Sequence, residues 1–176
     1  RDINRLRGRP DNPRAQAETI LDILDQGGAS MIYHSMSMDD VERVLRYPNT
    51  AIASDGGIQE FGEGMPHPRS YGTNARVLAE FVRRRQSITL EDAVRRMTSL
   101  PARTFGLRDR GLIRPGFAAD LVVFDPARVA DKATFTQPHQ YSEGFDYVIV
   151  NGAVTVDGGR FSAARGGRVL RGPAAP

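Results

Sequence analysis

An acid, a histidine and an arginine follow one another closely between residues 55 and 69. Asp55 ends a short apolar run, residues 50–54, and two glycines come directly after it. His67 and Arg69 come twelve and fourteen residues later, before an amphipathic segment. The pattern predicts a strand that delivers a carboxylate to a loop, with a helix beginning after the loop. A carboxylate can move a proton and a guanidinium can bind an anion, so these side chains suit a site for a carboxylate-bearing substrate.

Capping patterns predict the helices that would position these side chains. A polar residue precedes each of three segments with apolar periodicity, and such residues cap the free amides of a helix start. These capping residues are Asn12, Ser37 and Thr89. A fourth helix is predicted over residues 72–85, and a further helical turn over residues 101–106.

Short apolar runs between these helices predict buried strands. They occupy residues 29–33, before His34, and residues 50–54, before Asp55. Strands that alternate with helices in units of this size are typical of a parallel α/β sheet or barrel.

The pattern becomes β-rich near residue 111. An apolar strand is predicted at residues 121–124, and Asn151-Gly152 between two further runs is a strong hairpin signal. The sequence therefore predicts three parts: an α/β region over residues 1–110, a β region over residues 111–171, and a frayed tail over residues 172–176.

The motifs in this order resemble one known family. ASDGG is followed by HPRSYGTNARVL, then TLEDAVRRMTSLPARTFGLRDRGLIRPGFAADLVVFDP, then PHQYSEGFDYVIVNGAVTVDGG. Over residues 31–171 they resemble the C-terminal part of the D-aminoacylases, which are N-acyl-D-amino-acid deacylases of the amidohydrolase superfamily. The resemblance implies an α/β chain that forms the last part of a (β/α)8 metal-dependent hydrolase barrel, with strands of a small β-sandwich subdomain.

The resemblance also implies roles for individual residues. Asp55 would be the catalytic acid-base group, which takes a proton from the attacking water and gives it to the departing amine. Arg69 would bind the α-carboxylate of the substrate, with His67 and Gly56 beside it. For each residue an ordinary structural role stays open: a turn acid, a solvated arginine, a loop-packing histidine and a flexible turn. His139 is expected to make a structural contact.

Zinc is the cofactor that the resemblance implies. The family binds it through histidines and a cysteine upstream of the matching region, and the chain has only three histidines and no cysteine. Asp55 could supply one ligand, so we expect the zinc ligands mainly in a missing N-terminal part of the barrel. That part is then a partner of this chain, and the 176 residues alone are expected to be inactive.

The implied function is hydrolysis of an N-acyl-D-amino acid to a D-amino acid and a carboxylate. Deacylases of N-acyl-D-glutamate and N-acyl-D-aspartate remain open alternatives. A chain that begins with Arg1 also suggests a fragment or a processed product. An inactive remnant with a structural or interaction role is therefore the second hypothesis.

Composition excludes several other classes of protein. The net charge is only +3, and 23 of the 24 basic residues are arginine in a chain that is also rich in glycine and proline. This indicates compositional bias rather than a nucleic-acid surface. The lack of cysteine fits a cytoplasmic protein. No apolar run is long enough for a membrane span, so we expect neither a nucleic-acid nor a membrane partner.

Overall fold

The computed structural model describes residues 1–29 and 31–171. These residues form two compact units, one over residues 1–35 and one from residue 36 onward. The predicted tail at residues 172–176 lies outside the described residues. The boundary expected near residue 111 stays a prediction.

The first unit contains two helices, α1 over Asp2–Leu6 and α2 over Pro13–Asp25. The predicted start of α2 is confirmed: the Asn12 side chain accepts a hydrogen bond from the Ala15 amide at 2.9 Å. The helix ends at Asp25, and Gly27 after it has a φ of 101°, which residues other than glycine rarely adopt.

Five helical segments lie in the second unit. They are α3 over Met38–Arg46, α4 over Arg69–Arg76, a π-helix over Val77–Arg84, α5 over Leu90–Met97 and α6 over Ser99–Thr104. Ser37 and Thr89 cap α3 and α5 as predicted, each accepting a hydrogen bond from the amide of the aspartate three residues later. No helix in the described part of the chain combines the length and apolar composition that a membrane crossing requires.

The helix predicted over residues 72–85 differs from the observed one in start and form. It begins at Arg69, and its second half is wound as a π-helix, with the Arg85 amide donating to the Glu80 carbonyl at 2.8 Å. Leu78 and Phe81 on this segment are buried against Ala93 of α5, and together they form part of the core of the second unit.

The strands predicted at residues 29–33 and 50–54 are not found among the residues that the structure describes. Residues 29, 31–33 and 50–54 belong to no helix or strand, and Ser30 lies outside the described residues. A strand requires a ladder of hydrogen bonds to a neighbour. The described strands pair only with one another, and Ile52 instead donates its amide proton to the Arg96 carbonyl at 3.1 Å.

The β region forms one antiparallel sheet. Its strands pair in chain order: β1 over Leu121–Phe124, β2 over Phe145–Val150, β3 over Ala153–Asp157 and β4 over Arg160–Phe161. The predicted hairpin is confirmed, since Asn151 and Gly152 both have positive φ, as a tight turn between twisted strands requires. The described strands form this single sheet, so the chain is a mixed structure of helices and an antiparallel sheet.

A buried arginine joins α5 to the end of α3. Arg96 is only 2% exposed, and its guanidinium donates to the carbonyls of Leu45 at 2.5 Å and Tyr47 at 2.6 Å. It also donates to the Asp92 carboxylate at 2.7 Å. The last carbonyls of a helix lack intrahelical partners, so Arg96 satisfies groups at the end of α3 that would otherwise be buried without a hydrogen bond.

The Asp92–Arg96 pair predicts a pH dependence of folding stability. The hydrogen bond from Arg96 holds the pKa of the Asp92 carboxyl below its ordinary value. A carboxyl with a lowered pKa stabilises the fold fully above its unfolded pKa of about 3.9, and this contribution is lost as the pH falls below that value. Urea unfolding between pH 7 and pH 3 should therefore show a smaller loss of free energy of unfolding in Asp92→Asn than in the wild type.

The exposed Asp39 of α3 provides the matched control for this measurement. Asp39→Asn should change the pH profile less than Asp92→Asn does, because the ion pairs found among the described residues include Asp92 with Arg95 and Arg96 but none with Asp39. Identical profiles for the wild type and Asp92→Asn would contradict the assignment.

Candidate active site

Asp55 occupies a strained turn at the surface. Its φ is 47°, in the left-handed region where aspartate and asparagine are the residues most often tolerated after glycine. The side chain is 84% exposed, and the Ser54 hydroxyl accepts a hydrogen bond from the Gly56 amide at 3.3 Å. The turn therefore presents the carboxylate to solvent instead of burying it.

Arg69 pairs with Asp55 from the other end of the loop. Its Nη2 lies 3.1 Å from Oδ2 of Asp55, and the Arg69 side chain is 45% exposed. An exposed ion pair of this kind contributes only about 0–1 kcal/mol, so the pair alone does not fix the loop. The structure thus brings a carboxylate and a guanidinium together in an accessible position.

Gly56 allows the loop to lie directly on the start of α4. A Cβ atom there would lie 2.8 Å from the Cα of Ser70 and 3.2 Å from the Arg69 carbonyl oxygen. Both are backbone atoms, which cannot move aside as a flexible side chain can. Glycine at this position is what lets the turn that carries Asp55 approach the helix that carries Arg69.

His67 holds the first turn of α4. Its Nδ1 accepts a hydrogen bond from the Arg69 amide at 3.0 Å, and its ring packs edge-on against Phe135 with centroids 5.2 Å apart. The first amides of a helix have no partner within the helix, so this contact satisfies one of them and orients the residue that carries the guanidinium.

A second histidine, His139, contacts the loop between Asp55 and Arg69. Its Nδ1 lies 3.1 Å from the Gly62 amide nitrogen and 2.8 Å from the Tyr71 hydroxyl, and its Nε2 lies 3.0 Å from the Gly64 carbonyl oxygen. The expected structural contact is present. Its partners were not foreseeable, because they lie 68 to 77 residues away in the chain.

Aromatic rings surround this histidine. The Phe61 ring stacks on Tyr141 with centroids 4.9 Å apart and meets the His139 ring at 5.6 Å. The Tyr71 ring contacts both Phe61 and Tyr141 edge-on. We call Phe61, Tyr71, His139 and Tyr141 the aromatic cluster. His34 belongs to the first unit, where it follows residues 31–33, which lie in no helix or strand.

The metal-binding side chains of the described residues do not form a metal site by themselves. Among the residues that the structure describes, no three His, Cys, Asp or Glu side chains lie close enough together to hold a metal ion. Asp55 offers one accessible carboxylate. Catalytic zinc ordinarily takes three protein ligands, so a zinc ion here would need ligands from outside the described residues.

The sequence matches the model of the Amidohydrolase family over residues 7–156. Two similar curated proteins come from Alcaligenes xylosoxydans xylosoxydans. An N-acyl-D-aspartate deacylase is 46% identical over 142 residues, which cover 81% of this chain and 28% of the relative. A D-aminoacylase is 45% identical over 147 residues, which cover 84% of this chain and 30% of the relative. The chain thus spans less than a third of the length of these relatives.

Solved structures of similar proteins agree with this match. A D-aminoacylase crystal structure superposes with a TM-score of 0.80 at 39% identity, covering 93% of this chain and 32% of that one. An N-acyl-D-glutamate deacylase from Bordetella bronchiseptica, complexed with zinc and a phosphonate inhibitor, superposes with a TM-score of 0.64 at 47% identity, covering 68% of this chain and 25% of that one.

The close approach at Gly56 predicts the effect of adding one methyl group. Gly56→Ala should push the turn away from α4 and lower the free energy of unfolding by about 1–3 kcal/mol, the usual cost of overpacking. Gly57→Ala is the matched control, because its Cβ would meet only the end of the flexible Gln59 side chain. Urea unfolding of both variants measures the difference, and equal losses would contradict the packing argument.

Proposed function

The chain belongs to the amidohydrolase family, and from this we propose that it is the C-terminal portion of a zinc-dependent hydrolase of N-acyl-D-amino acids. The products would be a D-amino acid and a carboxylate. The observation that carries the proposal is the accessible Asp55–Arg69 pair, with atoms 3.1 Å apart, inside a region 45–46% identical to deacylases of this class.

The proposal includes the fold of the complete protein. The chain would supply the last strands and helices of a (β/α)8 barrel, with residues 50–54 as a strand paired to neighbours from the missing N-terminal part. An apolar run that ends in an exposed carboxylate supports this, because barrel enzymes place catalytic groups at the C-terminal ends of strands. The antiparallel sheet would form part of the β-sandwich subdomain.

Asp55 is the proton carrier in this mechanism. Its exposed carboxylate accepts a proton from the water that attacks the amide carbon. As the tetrahedral carbon collapses and the C–N bond breaks, the same carboxyl gives the proton to the amine nitrogen. One side chain thus acts first as base and then as acid, and the proton is conserved between the two steps.

Arg69 binds and orients the substrate in this mechanism. A guanidinium has five N–H donors, and the contact with Asp55 is made through Nη2. Other N–H groups can bind the two oxygens of an α-carboxylate together. The carboxylate and the acylamino group are attached to the same chiral carbon. When Arg69 fixes the carboxylate, only one enantiomer can direct its acylamino group toward Asp55.

Zinc would supply Lewis-acid activation of the attacking water and of the amide carbonyl. The bound zinc of the similar N-acyl-D-glutamate deacylase supports this cofactor. Asp55 could contribute one ligand, and the ligands would mainly come from the N-terminal part of the barrel. The 176 residues alone would then have no activity.

Preference for the side chain of the D-amino acid is the open part of the proposal. The D-aspartate and D-aminoacylase relatives are 46% and 45% identical, so overall similarity favours neither. Turnover of N-acetyl-D-aspartate, N-acetyl-D-glutamate and an N-acetyl-D-amino acid with an apolar side chain would separate the three activities. Absence of turnover with all three, in a zinc-loaded complete protein, would favour the inactive remnant.

Asp55→Asn tests the proton carrier. The amide keeps the shape of the side chain and suits the same backbone conformation, but it cannot accept the proton. We expect kcat of the complete, zinc-loaded enzyme to fall about 10²–10⁴-fold, the usual effect of losing a general base. Near-wild-type kcat with an unchanged zinc content would contradict this role.

Arg69→Lys tests recognition of the substrate carboxylate. Lysine keeps the charge but loses the planar two-pronged donor. KM for N-acyl-D-amino acids should rise about 10-fold to 100-fold, which matches the energy of a hydrogen bond to a charged group. Substrates whose carboxylate is replaced by a carboxamide should lose little, so comparable losses on both substrate types would be evidence against the assignment.

A further inference from the structure

The loop between Asp55 and Arg69 is held at two backbone points by one side chain. His139 lies between β1 and β2, far from the loop in sequence. It is in hydrogen-bond contact with the Gly62 amide at 3.1 Å and the Gly64 carbonyl at 3.0 Å. A backbone amide and a backbone carbonyl two residues apart are therefore bound by opposite sides of the same ring.

The partners determine which nitrogen of the ring carries the proton. The Gly62 amide can only donate, so Nδ1 of His139 must present its lone pair. The Gly64 carbonyl can only accept, so Nε2 must carry the hydrogen. The contacts therefore fit the Nε2–H tautomer, since a hydrogen on Nδ1 would face the Gly62 N–H.

The same histidine is bonded to the helix that carries Arg69. The Tyr71 hydroxyl donates to Nδ1 of His139 at 2.8 Å, and Tyr71 follows Arg69 by two residues on α4. The Ser142 hydroxyl donates to the Tyr71 carbonyl at 3.1 Å, which binds this segment to the helix a second time. The loop, the helix and the segment before β2 therefore meet at one imidazole.

We propose that His139 is a positioning residue that sets the separation of Asp55 and Arg69. The exposed ion pair between them is too weak to hold a loop of this length closed. The Gly62 amide and the Tyr71 hydroxyl share the single lone pair of Nδ1, and Nε2 donates to the Gly64 carbonyl. These contacts and the aromatic cluster hold residues 61–64 against α4 and so constrain both ends of the loop. This role rests on the proposed function, in which Asp55 moves the proton and Arg69 holds the substrate.

His139→Phe in the complete, zinc-loaded protein is the direct test. Phenylalanine keeps a ring in the aromatic cluster and removes both nitrogens. If the loop loosens, Asp55 is displaced, which should lower kcat, and Arg69 is displaced as well, which should raise KM. A displacement near 1 Å should lower kcat/KM about 10²-fold. Hydrogen exchange at residues 61–64 should become faster.

Three further variants separate positioning from simple destabilisation. Tyr71→Phe removes one of the two donors that share Nδ1 of His139 and leaves the Gly62 and Gly64 contacts, so it should cause a smaller loss in the same direction. Tyr141→Phe is the matched control, because its hydroxyl makes no hydrogen bond to the described residues, and it should retain wild-type kinetics. His139→Asn keeps an acceptor near the Nδ1 position and should recover part of kcat/KM.

Several results would overturn the positioning role. One is a His139→Phe enzyme with unchanged KM and only a smaller active fraction. Another is an equal loss of kcat/KM in Tyr71→Phe and Tyr141→Phe. The third is a wild-type rate of hydrogen exchange at residues 61–64 in His139→Phe. If His139→Phe does not fold, Tyr71→Phe and His139→Asn decide the question by the same criteria. A wild-type protein without turnover would instead contradict the proposed function, and the exchange measurement would still decide whether His139 holds the loop.

Discussion

The buried guanidinium of Arg96 is the interaction on which the second unit depends. A charged group that is 2% exposed is tolerated only when hydrogen bonds replace the water it loses. Arg96 obtains them from Asp92 on its own helix and from carbonyls at the end of α3. Asp55 follows the end of α3 in the chain. The segment that leads to this residue is therefore anchored in the core by Arg96.

The candidate site itself is built differently from the core. Asp55 and Arg69 are both exposed, and their mutual attraction in water is weak. Their relative position depends on neighbours: the missing Cβ at Gly56, the His67 contact with the first turn of α4, and the hydrogen bonds of His139. Asp55 therefore stays accessible to a substrate while its neighbours restrict its movement.

Local signals predicted the helices and the hairpin well, because the physics involved is local. Ser37 and Thr89 cap helices through amides three residues away, and Asn151-Gly152 turns the chain within two residues. The strand predicted at residues 50–54 is not formed, since a strand needs a paired neighbour, which a local sequence pattern does not specify. The contacts of His139 could not be predicted either, since nothing local indicates which loop a distant histidine will bind.

The backbone at Asp55 has a consequence for how this position can change in evolution. Its φ of 47° imposes a cost of about 1–2 kcal/mol on most residues, and only a few polar side chains occupy that region readily. In the mechanism that we propose, asparagine would fit the turn but could not accept the proton, while glutamate could accept it but would meet the backbone cost. Under this proposal, a single replacement of Asp55 would sacrifice either the backbone turn or the proton transfer.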